Sequence, residues 1–150
     1  MRLLIQRVHR AEVKIRGDKI ASIGPGMLIF LGVAQSDQAE TAQSLAEKTA
    51  YLRIFDDSQG KMNLDLFQTQ GEVLVVSQFT LYADLSRGRR PCFSASGGEQ
   101  AAKPDHAESI YRFFTQALRD LGLRVQEGQF QEPMIVSLEN EGPATFILEK

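Results

Sequence analysis

At 150 residues, with 43% apolar and 24% charged side chains, the chain has the length and composition of one globular domain spanning 1–150. No apolar run approaches the ~20 residues of a membrane helix, and the three apolar residues Leu3-Leu4-Ile5 do not make a signal peptide, so the cytoplasm is the expected compartment. A net charge of −2 argues against a protein that coats nucleic acid non-specifically, although it leaves room for a local basic patch. The lone Cys92 excludes an internal disulfide framework, and His9, His106 and that cysteine offer no metal-ligand spacing.

Residues 3–15 favour a strand, with Val13-Lys14-Ile15 alternating. Arg16-Gly17-Asp18-Lys19 reads as a hairpin turn, because Gly17 is free to take positive φ, and Ile20-Ala21-Ser22-Ile23 is the return strand. Gly24-Pro25-Gly26 breaks it, and the apolar run 27–34 has the pattern of a strand covered on both faces. The period then changes. Ala42, Leu45, Ala46, Thr49 and Leu52 fall at helical spacing within 38–55, with Ser36-Asp37 as the expected cap. Lys61-Met62-Asn63-Leu64 reads as an ordered loop, and 72–76 as a buried strand.

Residues 86–104 form a long irregular stretch with a basic start, Ser86-Arg87-Gly88-Arg89-Arg90-Pro91. Loops of that length are usually functional or disordered. A helix is expected over 105–121, from the stripe Ala107, Ile110, Tyr111, Phe114, Ala117, Leu118 and Leu121, with Gly122 as its C-terminal stop. Strands are expected at 123–126, 134–138 and 145–148, the last two joined as a hairpin. The order β-β-β-α-β-α-β-β-β predicts an α+β fold: one domain, a mainly antiparallel or mixed, barrel-like sheet, and two helices.

Two short segments carry the chemistry. Ser77-Gln78-Phe79-Thr80-Leu81-Tyr82 places hydroxyls and amides where a strand leaves the core. Ser77 and Thr80 are candidate nucleophiles, but a hydroxyl needs a base, and neither His9 nor His106 has a context that marks it as one. Backbone N–H groups there can form an oxyanion hole, which needs no particular side chain. Asn140-Glu141-Gly142-Pro143-Ala144-Thr145 sets Gly-Pro between two apolar runs, an odd place for a residue without an N–H. A cis bond is expected at Gly142-Pro143, aiming neighbouring carbonyls the same way, as acceptors for an ammonium group. Arg87, Arg89 and Arg90 fit a phosphate clamp or a solvated charge cluster.

In combination these segments resemble the two signature motifs of the D-aminoacyl-tRNA deacylases. Gln6-Arg7-Val8, Ala11-Glu12-Val13, Lys61-Met62-Asn63-Leu64 and Gly88-Arg89-Arg90-Pro91 with Phe93 resemble further landmarks of that family, in its order, from residue 6 to residue 145. The resemblance implies hydrolysis of the ester joining a D-amino acid to the 3′-terminal adenosine of tRNA, removal of glycine from alanine tRNA, and rejection of L-aminoacyl-tRNA. It implies a homodimer in which Gly142 and Pro143 enter the partner's site and capture the α-ammonium, steadied by Arg7. It implies backbone donors around Ser77, Gln78 and Phe79, with the RNA's 2′-hydroxyl assisting; Thr80 matches a threonine considered as nucleophile. Phe130 and Met134 are expected beside the terminal adenosine, and Arg87, Arg89 and Arg90 on the tRNA. No cofactor, metal, membrane or DNA is expected as a partner.

The chain departs from the family pattern in four places, one of them a pair of residues. Glu141 stands for Asp, Arg87 for Lys, Cys92 for Ser, and Gln131-Glu132 for a small Gly-Ala pair. From the residues alone, two further readings stay open. One is a non-catalytic tRNA- or small-molecule-binding dimer, the other an interaction protein whose basic loop docks an acidic partner.

Overall fold

Strand β1 (Arg2–Ile15) organises the molecule. It turns into β2 (Asp18–Ile23) through Arg16 and Gly17, whose φ values of 52° and 96° build a tight two-residue turn with Ile15 facing Asp18. β3 (Gly26–Gly32) pairs antiparallel with the first half of β1. β6 (Glu72–Ser77) adds to β3 in parallel, and β7 (Arg124–Glu127) adds to β6 in parallel. The order β2-β1-β3-β6-β7 curls until β2 meets β6 and β7, so the mixed sheet is a near-closed barrel. Gly26 makes the β3–β6 approach possible, because a Cβ there would lie 1.9 Å from the Glu72 carbonyl oxygen.

This computed structural model describes residues 1–86, 88–93 and 100–150. Its central strands β3 and β6 are buried on both faces. Val8, Ala11, Val13, Ala21, Ile23, Leu28, Leu74 and Val76 fill the barrel interior. Leu3, Ile5, Met27, Ile29, Leu31, Val73 and Val75 face the other way. There they pack against α1 (Ala39–Ala50) and α3 (Pro104–Asp120). Alternation along β3 and β6 follows from the pleat. In β1 the alternation changes phase, because odd positions 3 and 5 face the helices while odd positions 11 and 13 face the barrel. The change falls where the register of β1 with the last strand, β8 (Ile135–Glu149), slips between Gln6 and Arg10. Bulges of this kind re-aim side chains, and here Arg7 is left pointing into the helix-side core.

The α+β, barrel-like fold agrees with the sequence reading, with four local corrections. The stretches 134–138 and 145–148 are not two arms of a hairpin. They are halves of one strand, β8 (Ile135–Glu149), both antiparallel to β1. Apolar runs on either side of Gly-Pro look like a return, but Val8 faces Asn140 and Gln6 faces Thr145, so Glu141 to Ala144 bulge out while the strand keeps its direction. A third helix, the one-turn α2 (Leu66–Thr69), is closed by a capping box between Asp65 and Gln68, too short to show a helical period. The 61–64 loop contains β5 (Met62–Leu64), paired with β4 (Phe55–Asp56). Finally, Asp37 does not cap α1, whose N-cap is Gln38. Asp37 is buried and accepts from the Met1 amine at 2.6 Å and the Ala34 N–H at 2.7 Å. Gly122, at φ 95°, ends α3 as expected by donating to Arg119. Among the described residues, no helix is long and apolar enough to cross a membrane.

Candidate active site

β6 leaves the core at Ser77, and the chain folds at once into a short 3-10 turn, Phe79–Tyr82. Three contacts fix that turn on the neighbouring strands β3 and β1. The Gln78 N–H donates to the Leu31 carbonyl at 2.7 Å. Gly32 has no side chain, and a Cβ there would come within 3.1 Å of both the Gln78 carbonyl oxygen and the Tyr82 ring. Arg2 Nη1 donates to the Leu81 carbonyl at 2.5 Å, with its guanidinium 4.9 Å from the Tyr82 ring centre. The Gln78 side-chain amide donates to the Thr80 hydroxyl.

Beside the turn lies a cavity of about 820 Å³. Ser77, Gln78 and Phe79 form one end, Gln100 to Pro104 and α3 one wall, and Phe130 to Met134 another. Its aromatic lining is braced in pairs: Phe79 against Phe93 at 5.1 Å and Tyr111 against Phe130 at 6.0 Å between ring centres. The Tyr111 hydroxyl donates to the Val75 carbonyl at 2.9 Å. Burial, and secondarily the Glu127 carboxylate, push that hydroxyl well above the usual tyrosine range, so it stays neutral. The cavity is mostly apolar with a polar end, the make-up of a site for a small, partly aromatic ligand.

A second cluster forms where β8 bulges. Arg7 is 3% exposed. Its Nη1 donates to the Ile54 carbonyl at 2.8 Å and lies 3.1 Å from the Asp56 carboxylate, while Nε lies 3.3 Å from Glu141. His9 Nδ1 is 3.9 Å from the same Glu141 oxygen. Asn140 Nδ2 donates to the Arg7 carbonyl at 2.9 Å and to the Ala144 carbonyl at 3.3 Å. The cluster holds Gly142 and Pro143 on the surface, joined by a cis peptide bond.

The sequence-predicted residues thus fall in two places. Ser77, Gln78, Phe79, Phe130 and Met134 meet in the cavity; Arg7, Gly142 and Pro143 belong to the bulge and do not line it. Thr80 sits on the turn but outside the lining, and it is exposed. Arg89 and Arg90 are exposed in the irregular stretch, and Arg87 lies outside the described residues. The sequence reading missed the wall at 100–104 and the place of Tyr111 in the lining, since the tyrosine follows the apolar stripe of its helix. It also missed Arg2, which carries no local signal. Gln131, a departure from the family pattern, takes φ 61° at the cavity rim.

The chain is similar to known proteins over nearly its whole length. A family model described as D-Tyr-tRNA(Tyr) deacylase matches residues 4–149. A D-aminoacyl-tRNA deacylase of Symbiobacterium thermophilum is 48% identical over 149 residues, covering 99% of this chain and 95% of that protein. The D-aminoacyl-tRNA deacylase of Thermus aquaticus is 47% identical over 149 residues, again covering 99% and 95%. Among solved structures, one named c-Myc DNA Unwinding Element Binding Protein superposes with a TM-score of 0.90 at 34% identity, over 100% of this chain and 99% of that one. A probable eukaryotic D-amino acid tRNA deacylase superposes at 0.84 with 16% identity, over 98% and 97%, a likeness of fold.

Proposed function

This chain belongs to the D-Tyr-tRNA(Tyr) deacylase family and hydrolyses D-aminoacyl-tRNA, and we propose that it does so in the cavity beside the 77–82 turn. The observation that supports this reading is the turn itself, where Ser77, Gln78 and Phe79 at a strand end line one end of a cavity with aromatic walls. The terminal adenosine packs against Phe130 and Met134, and the scissile ester lies at the Ser77-Gln78-Phe79 end. Because the Gln78 N–H is committed to Leu31, the N–H groups of Phe79 and Thr80, which open the 3-10 turn and have no carbonyl behind them within it, are the donors for the oxyanion. Water adds to the ester carbonyl, the oxyanion forms at those donors, and the tetrahedral species collapses as the ribose 3′-oxygen leaves with a proton. The tRNA's 2′-hydroxyl relays that proton. The Thr80 hydroxyl is bonded to the Gln78 amide, which is not a base, so Thr80 is not the nucleophile.

Gly142 and Pro143 serve the site of a second copy. Two observations support a homodimer. The two residues are exposed and outside their own chain's cavity. They interrupt β8, which exposes the large apolar side chains Ile135 and Ile147 by 66% and 67%, and a second copy would cover them. In the dimer, carbonyls near Gly142-Pro143 take the α-ammonium of the substrate, and an L side chain is refused by clash. Glycine on alanine tRNA passes because it has no side chain. Arg89 and Arg90, with Arg87, contact acceptor-stem phosphates, and the working compartment is the cytoplasm. The test is to mix purified protein with D-tyrosyl-tRNA and L-tyrosyl-tRNA and follow ester loss. Selective loss of the D ester is expected; equal rates, or none, would remove the reading.

A further inference from the structure

We infer that Arg2 is a positioning residue for the reaction, clamping the exit of the 77–82 turn to β1 and β8; this rests on the proposal that the turn supplies the oxyanion donors. Arg2 stands at the start of β1, paired with Gly32 of β3 on one side and Glu149 of β8 on the other. From that central place its side chain makes three different contacts. Nη1 donates to the Leu81 carbonyl at 2.5 Å, Nε lies 2.5 Å from the Glu149 carboxylate, and the guanidinium plane covers the Tyr82 ring at 4.9 Å.

The consequence lies in what the turn lacks. Within it, the Gln78 carbonyl accepts from Leu81 and the Thr80 carbonyl from Ala83. These local bonds shape the turn but do not fix its tilt over the cavity. Gln78 to Leu31 anchors the entry. Arg2 anchors the exit, at the Leu81 carbonyl and the Tyr82 ring. With both ends held, the Phe79 and Thr80 N–H groups keep one direction. Donors that lose their aim by an ångström lose much of their effect on rate. Arginine suits this because its planar fork serves a carbonyl, a carboxylate and an aromatic face together, which a lysine point charge does not. Arg2 touches neither the cavity nor the reacting atoms, so it acts only through the turn.

The test compares Arg2→Ala and Arg2→Lys with the parent protein in single-turnover hydrolysis of D-tyrosyl-tRNA, binding of uncharged tRNA, and amide NMR of residues 78–83. In Arg2→Ala the rate constant should fall about tenfold or more, with tRNA affinity held within about twofold because no phosphate contact is lost. The amide resonances of 78–83 should move. Arg2→Lys, which keeps a donor and the charge, should recover part of the rate and part of the shifts. A folded Arg2→Ala protein with the parental rate overturns the inference, as does a slower one with unmoved 78–83 resonances. If Arg2→Ala does not fold, Arg2→Lys decides alone: a loss of about threefold or more with shifted resonances supports the clamp, and the parental rate overturns it. A parent protein inactive on D-tyrosyl-tRNA would remove the deacylase reading; the resonances of 78–83 would still report whether Arg2 holds the turn.

Discussion

Asn140 ties the β8 bulge to Arg7 by donating from its side-chain amide to the Arg7 carbonyl at 2.9 Å. The same amide donates to the Ala144 carbonyl at 3.3 Å, so one side chain spans the interruption that carries Gly142 and Pro143. Asn140→Ala leaves two carbonyls without that donor and should cost about 1–3 kcal/mol in urea unfolding. The bulge loses its brace, so single-turnover hydrolysis should fall by about tenfold or more, as expected when a positioning group is lost. Parental kinetics in Asn140→Ala would mean that the bulge is held without it.

Arg7 carries the other half of the brace, and its replacement should act differently. Asp56 and Glu141 are 42% and 35% exposed in their side chains, while Arg7 is 4% exposed. Losing the guanidinium therefore leaves carboxylates that water can reach. Arg7→Met should cost about 2–3 kcal/mol, below the 3–5 kcal/mol of a fully buried pair. Arg7→Lys cannot meet Ile54, Asp56 and Glu141 together and should recover less than half of that loss. Equal stability of Arg7→Lys and the parent in denaturant titration would contradict this.

The parts of the fold set by side-chain period are legible in the amino-acid sequence alone. β3 and β6 follow from unbroken apolar runs, α3 from its stripe, and the first hairpin from Gly17. The parts set by long-range pairing were not. Nothing local says that residues on both sides of Gly142-Pro143 pair with the same strand, because that depends on β1 being long enough to face both halves. The site divides the same way. Ser77-Gln78-Phe79 is readable as a strand end, whereas Arg2 lies 79 residues from Leu81, the partner that gives it meaning. Tyr111 looks like any helix-stripe residue until Phe130 and Val75 meet it.

Thr80→Ala should keep activity within about tenfold of the parent, less than the 10²–10³ of a lost oxyanion donor, because its backbone N–H remains. The group removed is a hydroxyl bonded to the Gln78 amide. Single-turnover rates decide. Complete loss in a folded variant, with an acyl adduct trapped on Thr80 of the parent, would replace the RNA-assisted route with a covalent one.

Tyr111 gives the stability a dependence on alkaline pH. Burial raises its folded pKa above that of the unfolded chain, which lies near ~10. Its contribution is therefore whole below pH ~10 and is lost as pH rises, by about 1.4 kcal/mol per unit once the unfolded tyrosine is ionised. Tyr111→Phe should remove this slope, while losing the bond to Val75 at about 1 kcal/mol near neutrality. Denaturant midpoints at pH 8 to 11 for both proteins test it. Parallel curves would show that Tyr111 is not the group responsible.

Gln131→Gly should make the protein more stable. Gln131 sits at φ 61°, in the left-handed region, on the exposed rim of the cavity. A side chain there costs about 1–2 kcal/mol. Glycine removes that strain but adds unfolded-state freedom of about 0.4–1 kcal/mol. The net gain should be about 0.5–1 kcal/mol, read as a higher urea midpoint at unchanged slope. The same change removes a side chain from the wall against which the terminal adenosine is proposed to pack. KM for D-tyrosyl-tRNA should fall while kcat holds, since the 77–82 turn is untouched. A lower urea midpoint would show that Gln131 gains more from its contacts than its backbone loses; a raised KM would show that its side chain grips the nucleotide.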